Sequence, residues 1–235
     1  MVENNEGAAA ETFNWPPLES NPEIFANYMK QCGLPENWTF GEIYGFEEDL
    51  LGFIPQPVVA VICNAEFLKK TEDRQKGDMT VANSYYMKQT EVLDNACGVI
   101  ACIHAILNCL GDDKIKLTDD STLSKFLAAA KDQTPAERAT TLETFEGFQT
   151  VHRGFAAQGQ SNQAEDQSEV KHHFTAFVIN SAGHLIELDG CKQGPLLIKE
   201  NCDDVLRGAV QELQRRLADG EVSESLSMMT INAAQ

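Results

Sequence analysis

The stretch of sequence that decides the fold is NACGVIACIHAILNCL, residues 95–110. Between 97 and 110 it is apolar on every helical face, and only His104 and Asn108 interrupt it. A helix that is apolar all round is buried in a protein core. The run is shorter than the roughly 20 apolar residues that a membrane-spanning helix needs. It therefore predicts a central buried helix that begins at Cys97.

Strands are predicted mainly toward the C-terminus. Residues 57–63 form a short, unbroken apolar run rich in β-branched side chains, which is typical of a central strand. The other predicted strands are a short one within 38–46, a hairpin of 173–179 and 184–189 around a turn at 180–183, and a last strand over 224–233. Helices dominate the first two thirds of the chain. The pattern predicts an α+β fold, with helices flanking a mostly antiparallel sheet.

Capping residues predict where the helices begin and end. The first predicted helix is capped by Asn21, has Pro22 in its first turn and ends at Gly33. Thr134 and Glu137 form a predicted capping box, with Pro135 between them, at the start of another helix. The C-terminal helix is predicted from Asn201 to Gly220. We expect two helices between the central helix and residue 156, and a charged loop over 66–80.

The chain is predicted to form one domain behind a short tail. Residues 1–12 are small, polar and acidic, which is typical of disorder. Residues 13–235 carry no linker and no internal repeat, so we expect a single domain. A monomer is a separate expectation. Residues 156–170 contain almost no large apolar side chain and are predicted to form a long loop.

The charge balance limits the partners. The formal net charge is −18, and such a field repels nucleic acid phosphates and anionic lipid surfaces. We therefore expect no nucleic acid and no membrane partner, and a basic partner or substrate instead. The seven cysteines form no Cys-x-x-Cys pair and no zinc-type spacing, so no metal and no cofactor are expected. Their odd number, with no signal peptide, favours reduced thiols and a cytoplasmic location that could include the nucleus.

Cys97 is the strongest candidate for a catalytic residue. A cysteine at a helix N-terminus lies beside unpaired backbone N–H groups and the positive end of the helix dipole. Both favour the nucleophilic thiolate, and the same N–H groups could stabilise an oxyanion. Gly98 is interpreted as leaving room for a substrate backbone. An inert helix-cap cysteine is the alternative.

Five histidines compete to serve this thiol as a base. His104 lies seven residues along the same helix, about 10 Å up its axis, and is interpreted as a core histidine with Asn108 as its partner. His173 opens the predicted hairpin, and Asp189 on the second strand comes near it. A three- or five-residue turn puts the two on one face, and a four-residue turn does not. The sequence leaves this register open, so an ordinary hairpin with polar edges remains the alternative.

Several motifs in one order make the chain resemble a known family. They are Pro17-Leu-Glu-Ser-Asn-Pro-Glu23, Lys88-Gln89-Thr90, Asn95-Ala-Cys-Gly98, Ile103-His-Ala105, Glu137-Arg138, Gly159-Gln160, His173-Phe174 and His184-Leu-Ile-Glu-Leu-Asp-Gly190. Together they resemble the small, single-domain ubiquitin carboxyl-terminal hydrolases, cysteine proteases that release adducts from the C-terminal glycine of ubiquitin. The resemblance covers about residues 14–233 and implies a papain-like fold with a knotted backbone.

The resemblance also implies roles for individual residues. Cys97 would be the nucleophile, His173 the general base, Asp189 the residue that orients it, and Gln89 the side chain that completes the oxyanion hole. The implied ubiquitin contacts are Pro17, Leu18, Glu19, Ser20, Asn21 and Pro22. Residues 156–170 would form the crossover loop over the cleft, limiting substrates to small or unstructured adducts. Its acidic residues Glu165, Asp166 and Glu169 would suit the basic tail of ubiquitin or of a related modifier.

One departure from the family pattern leaves a second function open. Seven residues, 90–96, separate Gln89 from Cys97, about two more than the family pattern has. If this displaces Gln89, Asn95 could share its role. The alternatives are then a catalytically weak ubiquitin-binding protein that holds free ubiquitin, or a different thiol enzyme such as an acyltransferase.

Overall fold

The structure is a computed structural model that describes residues 13–81, 84–111, 114–156 and 172–235. Two predictions lie wholly or almost wholly outside these ranges. They are the tail at 1–12 and the loop at 156–170, which includes Glu165, Asp166 and Glu169.

The described residues contain eight α-helices, one 3₁₀ helix and six strands. The helices are α1 (Pro22–Cys32), α2 (Glu48–Leu51), α3 (Lys70–Arg74), the 3₁₀ helix (Glu91–Ala96), α4 (Cys97–Asn108), α5 (Thr122–Ala130), α6 (Pro135–Glu143), α7 (Glu146–Ala156) and α8 (Val205–Ala218). The strands are β1 (Trp38–Glu42), β2 (Val58–Phe67), β3 (His172–Ile179), β4 (Leu185–Leu188), β5 (Leu196–Lys199) and β6 (Val222–Ala233).

The strands form one sheet in the order β1-β6-β2-β3-β4-β5. Each neighbouring pair is antiparallel, so the predicted α+β class with an antiparallel sheet is confirmed. Residues 58–63 of the predicted β-branched run lie in β2, which pairs with β6 on one side and β3 on the other. Val61 and Ile62 point to opposite faces of the sheet, and neither is exposed. Helices therefore cover both faces.

The central helix is α4, and it lies in the larger of two apolar cores. Every residue from Cys97 to Leu107 is buried. The continuous helical stretch of 91–108 has the length and composition of a membrane span, longer than the sequence run suggested. Because 72% of it is buried inside the protein, core packing accounts for its apolar character. The second core fills the other face of the sheet, beneath α8.

Several short elements differ from the sequence predictions. The helices α2 and α3 and the strand β5 were not predicted, because four or five residues are too few for a periodic pattern. Within the described residues between α4 and residue 156, three helices rather than the expected two are present. Helix α8 begins at Val205 and not at Asn201, since Asn201 has a left-handed φ of 51°. Asp204 caps α8 by accepting a hydrogen bond from the backbone N–H of Arg207.

His104 occupies the core as predicted, with a different partner for its ring. Its Nε2 accepts a hydrogen bond from the backbone N–H of Met87 at 3.0 Å, and its ring stacks on Tyr86. Asn108 instead donates to the backbone carbonyl of His104. Burial lowers the pKa of His104 to about 4. The neutral ring is therefore the form that fits the folded protein.

We predict that this histidine makes stability fall in acid. Unfolded histidine has a pKa of about 6.5, so its contribution is complete above that pH and is lost as pH falls toward 4. The loss by pH 5 is about 2 kcal/mol for one such group. His104→Gln keeps an acceptor for Met87 but does not titrate. Urea unfolding at pH 7 and pH 5 should show a smaller loss in the variant. An unchanged loss would contradict the prediction.

Candidate active site

Cys97 is the first residue of α4 and lines a cleft of about 150 Å³. The 3₁₀ helix runs directly into α4, and its backbone is kinked at Leu93. Packing accounts for Gly98: a Cβ there would lie 2.9 Å from the Phe25 ring and 3.4 Å from Phe174. Its role in leaving room for a substrate backbone stays a prediction. Cys97 is nearly buried, with 8% exposure, at the point where the 3₁₀ helix passes into α4.

The hairpin brings His173 and Asp189 together. Ile179 pairs with Leu185, so five residues form the turn, one of the two lengths that put both side chains on one face. His173 Nε2 lies 2.7 Å from Asp189 Oδ1. Because Asp189 takes Nε2, the other ring nitrogen, Nδ1, remains for a thiol. The structure thus supplies the register that the sequence left open.

The imidazole of His173 interacts with two thiols as well as with the carboxylate. Burial disfavours its cation, but the Asp189 charge and hydrogen bonds to Asp189, Cys191 and Cys97 raise the pKa of His173 well above its usual value. Burial likewise opposes the Asp189 anion, yet the charges of His173 and Lys192 hold the pKa of Asp189 far below its usual range. The site therefore favours an imidazolium beside Cys97, the arrangement that stabilises a thiolate.

Gln89 stays at the cleft despite the longer segment before Cys97. Its backbone N–H donates to the carbonyl of Gly190 at 3.1 Å, and its side-chain Nε2 donates to the carbonyl of Asp94 at 2.7 Å. The segment between Gln89 and Cys97 contains the 3₁₀ helix, and the carbonyl of Asp94 within it orients the Gln89 amide. Gln89 and Asn95 both line the cleft with Cys97. An amide nitrogen has two donors, so one remains for a ligand.

The rings of the other histidines make contacts with other groups. His152 is buried and donates through Nε2 to the carbonyl of Pro16. His172 lines the cleft, but its ring contacts Ser225. His184 is half-buried, and its Nδ1 accepts from the backbone N–H of Asn201.

The segment expected to contact ubiquitin is partly internal. Leu18 is buried in the main core, and Asn21 uses its side chain to cap α1. Ser20 shares a hydrogen bond of 2.7 Å with Ser227 of β6. Pro17, Glu19 and Pro22 are half-buried. The contact roles of 17–22 stay predictions.

Sequence reasoning missed the groups that surround Asp189. Cys191 donates its backbone N–H to Asp189 Oδ1 at 2.9 Å, and Lys192 Nζ lies 3.1 Å from Oδ2. One signal could have found them: Glu187 interrupts an apolar strand, and a buried carboxylate requires a cationic partner. The donor atoms of His173, Asp189 and Cys191 lie within 4.8 Å of one another, a set that could also hold a metal ion.

Comparisons with known proteins agree on one family. The family model described as ubiquitin carboxyl-terminal hydrolase, family 1, matches residues 15–218. Isozyme L1 of Monodelphis domestica is 35% identical over 216 residues, covering 88% of this chain and 93% of the relative. Isozyme L1 of Homo sapiens is 33% identical over 215 residues, with the same coverage.

A solved structure has the same fold. The catalytic domain of Trichinella spiralis UCH37 bound to ubiquitin vinyl methyl ester aligns with a TM-score of 0.76 at 26% identity. The alignment covers 94% of this chain and 96% of that chain. The papain-like α+β fold expected from the resemblance is confirmed. The chain belongs to the ubiquitin carboxyl-terminal hydrolase family 1.

Proposed function

We propose that Cys97, His173 and Asp189 carry out the reaction of this cysteine-type ubiquitin carboxyl-terminal hydrolase. The observation that carries the proposal is the 2.7 Å contact between His173 and Asp189 in the cleft where α4 begins with Cys97. In this arrangement a carboxylate orients an imidazole, and the imidazole serves a thiol. The bound ubiquitin in the Trichinella spiralis structure supports ubiquitin as the partner.

The proposed reaction has two steps. The Cys97 thiolate attacks the carbonyl carbon of ubiquitin's C-terminal glycine, and a carbon–sulfur bond forms as the bond to the adduct breaks. The His173 imidazolium gives its proton to the departing amine. Water then attacks the thioester while His173 takes its proton, which releases the ubiquitin carboxylate and restores the thiolate. Asp189 keeps His173 in place through both steps.

The oxyanion of each step would form beside the N-terminus of α4. The backbone N–H of Cys97 and one amide N–H of Gln89 are the proposed donors, with Asn95 also at the cleft. Donors held in place before the reaction stabilise the charge as it develops. The two anchors of Gln89 support its role here and weigh against a protein that only holds free ubiquitin.

Removing Gln89 tests that role. Gln89→Ala should lower kcat by 10²–10³, about 2.7–4 kcal/mol, because one oxyanion donor is lost. KM for a ubiquitin fluorogenic amide should change little. Steady-state kinetics of Gln89→Ala and Asn95→Ala should be compared. A loss below about fivefold for Gln89→Ala, with a larger one for Asn95→Ala, would assign the donor to Asn95.

We further propose small or unstructured adducts as the substrates. This part rests on sequence length alone, since residues 157–171 lie outside the described residues. A closed ring of about 15 residues is at most about 16 Å across, while a folded domain of about 75 residues is roughly 25–30 Å wide. Turnover of a ubiquitin fluorogenic amide should exceed that of diubiquitin by at least about tenfold. Comparable rates on both substrates would rule out the size limit.

A covalent probe separates the candidate functions. Ubiquitin vinyl methyl ester should add to Cys97, shown by mass spectrometry of the digested adduct. Tight ubiquitin binding without labelling would support a ubiquitin-holding protein, and no interaction would support another thiol enzyme.

All seven cysteines, each within the described residues, are free thiols, which supports the proposed cytoplasmic location.

A further inference from the structure

Lys192 is a buried cation directly behind the proposed active site. Its side chain has no exposed surface, which is rare for lysine because an ammonium loses its hydration on burial. Three carboxylates compensate it: its Nζ lies 2.7 Å from Asp73 Oδ2, 3.1 Å from Asp189 Oδ2 and 3.4 Å from Glu187 Oε2. Asp73 lies in α3, Glu187 lies in β4, and Asp189 directly follows β4.

The two oxygens of Asp189 have separate partners. Oδ1 accepts from His173 Nε2 and from the backbone N–H of Cys191. Oδ2 accepts from Lys192. A carboxylate held at both oxygens cannot rotate away from the imidazole without breaking a buried contact. Lys192 therefore fixes the orientation of the group that orients His173.

The backbone at Lys192 is anchored without its side chain. The hydroxyl of Tyr86 lies 2.9 Å from the carbonyl oxygen of Asp189 and 2.8 Å from that of Lys192, and its single proton is shared between them. Lys88 also donates to the Lys192 carbonyl, and the Lys192 backbone N–H donates to the Asp189 carbonyl. Substituting the side chain of Lys192 thus removes its charge while these backbone contacts keep the loop in place.

We propose that Lys192 is a positioning residue that holds Asp189 against His173 and limits how strongly Asp189 stabilises the imidazolium. The proposal rests on the proposed function, because it assigns Lys192 a part in the same reaction. Lys192 has no exposed side-chain surface and does not belong to the set of residues that line the cleft. It acts through Asp189.

The surrounding charges give the direction of the electrostatic effect. His173 faces Asp189, the thiols of Cys97 and Cys191, and the ring of Phe67. Lys192 is in direct contact with the carboxylates of Asp73, Glu187 and Asp189 and with the Phe67 ring. Other cations pair with these carboxylates: Lys76 with Asp73, and Arg216 with Glu187 and also with Glu212. Two further cations, Lys70 and Arg74, line the cleft. Removing the Lys192 charge leaves Asp189 more negative in effect, which favours the protonated imidazole.

Two substitutions should therefore have opposite effects. Lys192→Met removes the cation and should raise the pKa of His173 by at least about half a unit. Asp73→Asn removes a competing partner, so Lys192 compensates Asp189 more strongly and the pKa of His173 should fall. Loss of stability alone cannot produce shifts of opposite sign.

The experiment measures His173 by NMR titration in the Cys97→Ala background, where its titration is no longer coupled to that of the proposed nucleophile. Cys191 is present in every protein compared. Kinetics of the same substitutions in the otherwise unaltered chain supply a second readout. For Lys192→Met, kcat on a ubiquitin fluorogenic amide should fall at least about tenfold, KM should stay within about twofold, and the alkaline limb of the kcat/KM profile should move to higher pH.

Arg216→Met is the matched control, since it removes another buried cation that contacts Glu187 but not Asp189. It should lower stability with a smaller shift of His173 than Lys192→Met gives. Shifts of the same sign in Lys192→Met and Asp73→Asn, or no shift in either, would overturn the proposal. If the unaltered chain hydrolyses no ubiquitin amide, the proposed function fails, while the NMR titration still reports on Lys192 and Asp189.

Discussion

Cys97→Ala is expected to abolish hydrolysis of a ubiquitin fluorogenic amide, with a loss on the order of 10⁴-fold or more, because no covalent intermediate can form. Ubiquitin affinity should be retained, since the thiol is small and has only 8% exposure. Steady-state kinetics and isothermal titration with free ubiquitin measure the two quantities separately.

The chain offers a matched thiol control in the same cleft. Cys191 lines the cleft and interacts with His173, but it does not begin a helix. Cys191→Ser should keep most of the wild-type turnover, and ubiquitin vinyl methyl ester should still label it at Cys97. Substantial turnover in Cys97→Ala together with inactivity in Cys191→Ser would reverse the assignment of the nucleophile.

Local signals explain why the main elements were predictable. Helix α4 could be recognised because its residues are apolar on all faces, and α1 because Asn21 and Gly33 act within a few residues of its ends. Gly33 adopts a φ of 115°, which side chains other than glycine rarely accept. Such signals depend on chain neighbours alone. The short elements α2, α3 and β5 lack them, because tertiary packing and strand pairing decide whether they form.

The site also has features that local sequence signals predict and features that only the folded structure decides. Cys97 was identified from its place at a helix start, and the pairing of His173 with Asp189 was narrowed to two turn lengths. The register itself depends on the five-residue turn, in which the side chain of Asn180 accepts from the backbone N–H groups of Ala182 and His184. A period-two pattern on both strands is compatible with more than one register, so it could not choose between them.

The charges behind Asp189 show the limit of sequence reasoning most clearly. Lys192 is compensated by Asp73, which lies 119 positions earlier in the chain, and by Glu187 on β4. Arg216 of α8 in turn binds both oxygens of Glu187, at 2.9 Å and 2.8 Å. A charged residue in the sequence is usually interpreted as exposed. Only the folded arrangement of α3, β4 and α8 makes these charges mutual partners.

The role of His173 gives the second large expected effect. Without its imidazolium, a thiol with an ordinary pKa of about 8.5 is mostly protonated at pH 7, and the departing amine receives no positioned proton. His173→Ala should therefore lower kcat/KM at pH 7 on the order of 10³–10⁴-fold. The neighbouring His172 is the matched control. Its ring contacts Ser225 rather than Asp189, so His172→Ala should stay within about fivefold of wild type.

The pH dependence distinguishes the loss of the base from damage to the fold. In His173→Ala the remaining rate should rise steadily from pH 7 to pH 9 as the unassisted thiol ionises. In the wild type the raised pKa of His173 keeps the imidazolium protonated at higher pH than in an ordinary histidine. The wild-type rate should therefore not rise in the same way. Kinetics of both proteins across this range, with circular dichroism to monitor folding, make the comparison. A His173→Ala protein that remains folded and loses less than tenfold, or whose rate has the wild-type pH profile, would show that another group activates Cys97. His104 could not take that place, because Met87 and Tyr86 hold its ring in the core.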